Sequence, residues 1–468
     1  MSAEATSPAL GATRTATAAA RDAGDALAAT GSVSKLVIAI HGIGDQYRHA
    51  TIRSVVTRFG RYFDFPAAVP LGSFYSADGQ VDAFRLQAPP EVPEGLGNIG
   101  FAEVYWADIP RAIQKEGYTI EEAKAWARTI AERVRARYGG KIAEEFKFSA
   151  HDFRDAANVM QEMIETIQIL GNLLFLAEKA GLPKFDLDDL LASYLGDVQI
   201  VADFATYRQK ILQQFRQVLD ALWERLGKQA PDIYIVAHSE GTVVAFMALL
   251  QAMSLPTPGQ PPPAPRPEWI DHVRGFMTIG SPIDKHLILW PEIWRQFYTP
   301  GPPVDPPIKW RNYYDYGDPV GFDLDTARAW MKEHGWAAAF EFRDEDDIGF
   351  SRYPLPGAAH NDYWGDGGVF GHFIETVLKV KPAAGRSFAN RPPNRWWARA
   401  ISYFVPYLLA FLLLYTGVYL LDKALRAYAV PARPAGEGTP QQAAAPASPQ
   451  SDAYLVQWWH AREGGAAP

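Results

Sequence analysis

The chain of 468 residues contains no cysteine. Disulfides, thiolate metal sites and cysteine nucleophiles are excluded, and no oxidising compartment is demanded. A basic block is also missing. Lys and Arg number 45 against 53 Asp and Glu, a net charge of −8, so nucleic acid is not an expected partner. There is no His-Glu-x-x-His, phosphate loop or dinucleotide fingerprint, and the acidic run Asp186–Asp189 lacks calcium-loop spacing. No metal and no cofactor are expected. Residues 1–32 hold no unbroken apolar stretch. They read as a disordered leader with a short helical piece near Thr17–Ala29 rather than as a secretory signal.

What is present is a large apolar fraction, 48%, enough for one enlarged domain or two smaller ones. Apolar runs predict strands at Lys35–His41, Phe101–Trp106, Ile233–Val236, Gly275–Ile279 and Trp310–Tyr314. Helical periodicity separates them. The expected fold class is α/β, with a mostly parallel sheet and helices on both faces, over residues 33–385. The stretch between Asp108 and Asp232 is too long for one crossover. Val198–Leu226 is expected to be the crossover helix, and residues of about 109–196 an inserted helical cap. Its most apolar part, around Ile164–Leu176, is read as packing rather than as an acyl-binding lid.

Ile401–Leu421 carries no charged residue. As a helix it spans about 30 Å, the hydrocarbon thickness of a bilayer. Trp396 and Trp397 stand where interfacial aromatics belong, and Lys379, Lys381, Arg386, Arg391, Arg395 and Arg399 precede the segment. The expectation is a single transmembrane helix, with the large domain on the cytoplasmic side. Residues 422–468 are expected to be a mostly disordered tail.

The chemistry gathers around residues 233–241, Ile-Tyr-Ile-Val-Ala-His-Ser-Glu-Gly, followed by helix-forming Thr242–Leu250. A strand, a sharp turn with serine at its apex and a helix expose the Ser239 hydroxyl above a sheet, with a helix N-terminus behind it. A serine hydroxyl needs a base. His360 lies downstream in Gly-Ala-Ala-His-Asn-Asp-Tyr-Trp, read as a loop. His372, in the expected helix Phe370–Val380, is the alternative. Asp318, in Gly-Asp-Pro-Val, is the preferred orienting acid, with Asp315 and Asp284 as alternatives that would otherwise be turn or cap residues. Ser, acid and His follow in that chain order. Near the N-terminus, His41-Gly42-Ile43-Gly44 forms a glycine-rich loop after the first strand. His41 and His238 are read as structural.

These four motifs resemble those of the α/β-hydrolase superfamily, nearest to bacterial lipase-like serine esterases of the class 3 lipase kind. One departure is Ala237, where the usual elbow has glycine. The resemblance implies a Ser239–His360–Asp318 triad acting through an acyl-enzyme. It also implies oxyanion donors at the backbone N–H groups of Glu240 and Ile43, with Gly42 and Gly44 supporting the loop. A membrane-anchored carboxylic ester hydrolase acting on a lipid or acyl ester is expected, in a bacterial inner membrane. The same triad serves thioesterases, amidases and acyltransferases, and a catalytically silent membrane scaffold is the rival of another class.

Overall fold

The structure, a computed structural model, describes residues 33–43, 46–64, 68–76, 79–86, 98–114, 198, 200–255, 265–318, 320–352, 356–382 and 386–388, with parts of 404–423. The expected leader 1–32, nearly all of the expected cap, Gly44 and the tail beyond residue 423 lie outside the described residues.

A nine-stranded sheet organises residues 33–388. Its strands are β1 (Lys35–Ile40), β2 (Ala68–Ser76), β3 (Gly79–Leu86), β4 (Ile99–Val104), β5 (Asp232–His238), β6 (Val273–Ile279), β7 (Ile308–Asp315), β8 (Phe340–Glu341) and β9 (Asp347–Phe350). The order is β2-β3-β4-β1-β5-β6-β7-β8, with β9 also paired to β7. Pairings from β4 through β9 are parallel. The β2–β3 hairpin joins antiparallel at one edge. All five expected strands are present. The hairpin and the short β8 and β9 were not expected.

The central positions of β1 and β5 are apolar because both faces are covered. Leu36, Ile38 and Ile40 of β1 enter one core with Ile233, Ile235 and Ala237 of β5. Val37 and Ala39, with Tyr234 and Val236, enter the other. Among the helices, α1 (Ala50–Tyr62) covers the second face through Ile52, Val55 and Phe59. Next comes α2 (Asp108–Gln114), at the start of the expected cap. On the first face, α3 (Ala205–Leu226) buries Ile211, Phe215, Leu219 and Leu222. Phe204, extended at φ −106° and ψ 91°, interrupts the helix expected from Val198. The helix α4 (Glu240–Met253) is buried nearly all round, as suits a helix enclosed in the core.

Shorter helices of the frame include α5 (Ile283–Leu289), α6 (Asp325–Glu333), α7 (Pro356–Asn361) and α8 (Gly367–Phe373). The last begins earlier than Phe370 because the Asp366 carboxylate caps it, accepting from the N–H groups of Gly368 (2.8 Å) and Val369 (3.0 Å). It continues into a π-helical turn, Ile374–Leu378.

The chain divides into two units, Met1–Leu413 and Leu414–Pro468. In the second, residues 414–423 are helical, with Leu414, Tyr415, Val418, Tyr419, Leu420 and Leu421 exposed. Among the described residues, no helix is long and apolar enough to cross a membrane. The expected span 401–421 falls only partly on described residues.

Candidate active site

The carboxyl ends of the parallel strands are where open α/β sheets place their ligands. Three strands deliver the pieces there. Ser239 follows β5 directly and sits at φ +54° and ψ −133° as the N-cap of α4. That left-handed φ is costly for serine. It is held by the strand and helix on either side, by Ser239 N–H donating to Ile279 O at 3.0 Å, and by Thr242. The Thr242 hydroxyl donates to the Ser239 carbonyl at 2.7 Å and bonds the Ser281 hydroxyl at 2.7 Å.

Close packing explains two glycines of the motifs. A Cβ on Gly42 would stand 2.6 Å from Ser239 Cβ and 3.2 Å from its Oγ. A Cβ on Gly241 would collide with the His41 carbonyl. The loop after β1 therefore lies directly against the serine turn. Ala237 is different. It is a strand residue, paired with Ile40 and Thr278, and its methyl is fully buried in the core. Where the usual elbow has glycine, this chain therefore carries a methyl accommodated in the core.

His360 and Asp318 meet the serine. His360 Nε2 lies 3.0 Å from Ser239 Oγ. On the other side of the ring, Nδ1–H donates to Asp318 Oδ1 at 2.9 Å and Oδ2 at 3.0 Å. With the proton on Nδ1, Nε2 is left to accept from the serine hydroxyl. All three groups are buried. Burial pushes the Asp318 carboxyl up, but more than offsetting this are His360, the Tyr363 hydroxyl and the Val320 N–H. The net result is a pKa below the usual carboxylate value.

His360 is not on a loop, as its sequence suggested, but in α7. Pro356 at the first helical position and Ala358-Ala359 favour a helical turn there. The contrast of loop against helix therefore does not separate His360 from His372. Position does. His372 Nδ1 shares a hydrogen bond of 2.7 Å with the Tyr313 hydroxyl.

The other aspartates are engaged elsewhere. Asp315 accepts from Gly317 N–H at 2.9 Å and Arg352 N–H at 3.1 Å. Asp284 accepts from Thr326 N–H and Ala327 N–H at 2.7 and 2.9 Å, at the start of α6. Burial raises its pKa well above normal despite those bonds.

Tyr363 carries a role that sequence reasoning did not assign. Its hydroxyl donates to Asp318 Oδ2 at 2.7 Å and accepts from Asp315 N–H at 2.8 Å. The only signal was its place in His-x-x-Tyr-Trp. Lys285 is a second such residue. Its Nζ donates to the Val320 carbonyl at 2.7 Å, bracing the loop whose Val320 N–H holds Asp318 at 2.8 Å. Burial pushes the Lys285 ammonium down to about 7, against the pull of Asp318.

Both further histidines are held neutral. Burial lowers His41 to about 4. Its Nδ1–H donates to Gly42 O at 2.7 Å, and its Nε2 accepts from Trp106 N–H at 3.0 Å. Burial, then the charge of His360, lowers His238 to about 3. Its Nε2–H donates to the His360 carbonyl at 2.9 Å.

Of the two expected oxyanion donors, Glu240 directly follows the serine and Ile43 directly follows Gly42, which packs on it. Glu240 opens α4, so its N–H has no intrahelical acceptor. Ile43 is buried, and its carbonyl accepts from the Gln46 side chain at 3.1 Å. A cavity of about 400 Å³ lies beside Tyr105 and Trp106, whose rings pack on His41; Ser239 does not line it.

No protein-family model, curated protein or solved structure matches the chain. The functional reading therefore rests on sequence and geometry.

Proposed function

We propose that the protein is a membrane-anchored serine hydrolase of the α/β-hydrolase kind that cleaves carboxylic esters of lipid or acylated substrates. The observation that carries this reading is the unbroken chain Ser239 Oγ–His360 Nε2, 3.0 Å, and His360 Nδ1–Asp318, 2.9 Å, with serine on a strained strand-to-helix turn.

In the reaction, Ser239 Oγ attacks the ester carbonyl carbon while its proton passes to His360 Nε2. Asp318 holds the ring in the tautomer that accepts this proton and stabilises the imidazolium. The negative charge on the former carbonyl oxygen is met by the N–H groups of Glu240 and Ile43 and by the N-terminus of α4. The tetrahedral intermediate collapses, the ester C–O bond breaks, and the leaving alkoxide takes the proton from Nε2. Water, deprotonated by His360, then attacks the acyl-serine, the acyl C–Oγ bond breaks, Ser239 Oγ takes the proton back from His360, and the acid is released. The absence of charge from Ile401 to Leu421 in the sequence supports the anchor.

A fluorophosphonate probe tests this reading, because it reacts only with an activated serine. Wild-type protein is expected to be labelled at Ser239, by mass-spectrometric mapping, and Ser239→Ala to be neither labelled nor active on esters. An unlabelled wild type, or an active Ser239→Ala, would overturn it. Carbonate extraction of membranes tests the anchor. Full-length protein should stay in the pellet.

A further inference from the structure

The residue after the serine poses an electrostatic problem. Glu240 supplies a proposed oxyanion donor through its backbone, yet its own side chain is a carboxylate, 1% exposed. A negative charge fixed there opposes the charge that develops on the substrate, and in a dry site that opposition is large.

The side chain has one hydrogen-bond partner among the described residues. Glu240 Oε2 lies 3.1 Å from His286 Nε2, and His286 is likewise 1% exposed. Glu240 Oε1 and His286 Nδ1 have no hydrogen-bond partner among the described residues. The Trp290 ring packs beside the imidazole at a centroid distance of 4.9 Å. His286 stands on α5, which follows β6, so it reaches the serine turn from the neighbouring strand. Among the described residues, no other charged group bonds either member of the pair.

Resting on the hydrolase reading above, we propose that His286 is a positioning residue that acts through Glu240. With a proton on His286 Nδ1 and a second one held between His286 Nε2 and Glu240 Oε2, the pair is neutral overall, which keeps the carboxylate from opposing the oxyanion. His286 touches neither the substrate nor the reacting atoms. A buried carboxylate left without such a partner is costly in itself. Here it would also cancel part of the positive field of the α4 N-terminus at the place where the reaction needs it.

The test compares wild type, His286→Gln and the double variant His286→Gln/Glu240→Gln. Each is assayed for steady-state hydrolysis of a short p-nitrophenyl ester and for the rate of fluorophosphonate labelling, with thermal unfolding as the check on folding. His286→Gln keeps a hydrogen-bond donor but brings no compensating charge. Its kcat is expected to fall about ten- to a hundredfold, the size of one uncompensated charge several ångströms from an oxyanion at an effective dielectric of about 20. KM is expected to change less than about threefold, because the ground-state ester carries no such charge. The labelling rate should fall in parallel.

Neutralising the carboxylate in the double variant should recover most of the lost kcat. A merely structural contact predicts the opposite, since the double variant alters both partners. Full activity in a folded His286→Gln, or no recovery in the double variant, overturns the proposal. Should His286→Gln fail to fold, His286→Asn is assayed in its place, and full kcat in that folded variant overturns the proposal. If wild type itself is not labelled, the hydrolase reading fails instead, so the two failures are distinct.

Discussion

Replacing Asp318 with asparagine alters a single atom, but three donors point at that carboxylate. They are His360 Nδ1 at 2.9 and 3.0 Å, the Tyr363 hydroxyl at 2.7 Å and Val320 N–H at 2.8 Å. Asparagine keeps one acceptor oxygen and sets an NH₂ among donors. The cheapest escape is for His360 to move its proton from Nδ1 to Nε2 and accept from the new amide. Nε2 then points a hydrogen at Ser239 Oγ, 3.0 Å away, and cannot take the serine proton. The imidazolium formed in the reaction also loses its counter-charge. Together these effects should lower kcat/KM for ester hydrolysis by about 10³–10⁴, or roughly 4–5.5 kcal/mol of transition-state stabilisation. Folding should suffer less, by about 1–3 kcal/mol, because removing a buried charge offsets part of the lost hydrogen bonding.

The assay is kcat/KM on a chromogenic ester for wild type, Asp318→Asn and Asp315→Asn, with urea unfolding in parallel. Asp315 accepts from the backbone N–H groups of Gly317 and Arg352. Its asparagine variant should cost less than about tenfold. Asp318→Asn retaining more than a tenth of wild-type activity would refute the argument. So would Asp315→Asn as the more damaging change.

Two glycines separate activity from stability. Gly42→Ala would place a methyl 2.6 Å from Ser239 Cβ, so ester turnover and fluorophosphonate labelling should both fall at least about tenfold. Gly241→Ala drives a methyl into the His41 carbonyl, which is backbone and cannot yield cheaply. Unfolding in urea should show a loss of about 2 kcal/mol or more. Lys285 makes stability pH-dependent. Its pKa is about 7 when folded and about 10.4 when unfolded. Between those values the unfolded chain binds more protons, so this residue's contribution should rise with pH from about 7 to 10. Lys285→Met should flatten that rise, and identical urea midpoints against pH for the two proteins would contradict it.

The central strands were readable because covering both faces of a sheet forces apolar residues onto every position, as in Leu36–Ile40 and Ile233–Ala237. The β2–β3 hairpin escaped because Pro70, Gly72, Ser73 and Asp82 break any such run. At two and four residues, β8 and β9 are too short to show a period. In the site, chain order brought out Ser239, Asp318 and His360. The choice between Asp315 and Asp318 was not written locally, since Asp315 ends β7 and Asp318 stands three residues further in the same turn-rich stretch. It depends on which carboxylate the backbone consumes. Tyr363 was invisible for a related reason, because its partner Asp318 lies 45 positions away. The Glu240–His286 contact spans 46.

The bonds of Tyr363 have a consequence for how the site can fail. The stretch from Pro356 to Gly365 provides the imidazole that faces Ser239 and the phenol that ties Asp318 to the end of β7. Arg352 clasps the same stretch through the Asp362 carbonyl and Asp366. These groups travel as one mechanical part. If the part lifts, the base leaves the serine and the acid loses its tether in the same movement. A perturbation far from Ser239 that loosens this part would therefore reduce the number of competent molecules while leaving each competent molecule at full speed. Titrating active serines, rather than measuring turnover alone, is how such a loss would be seen.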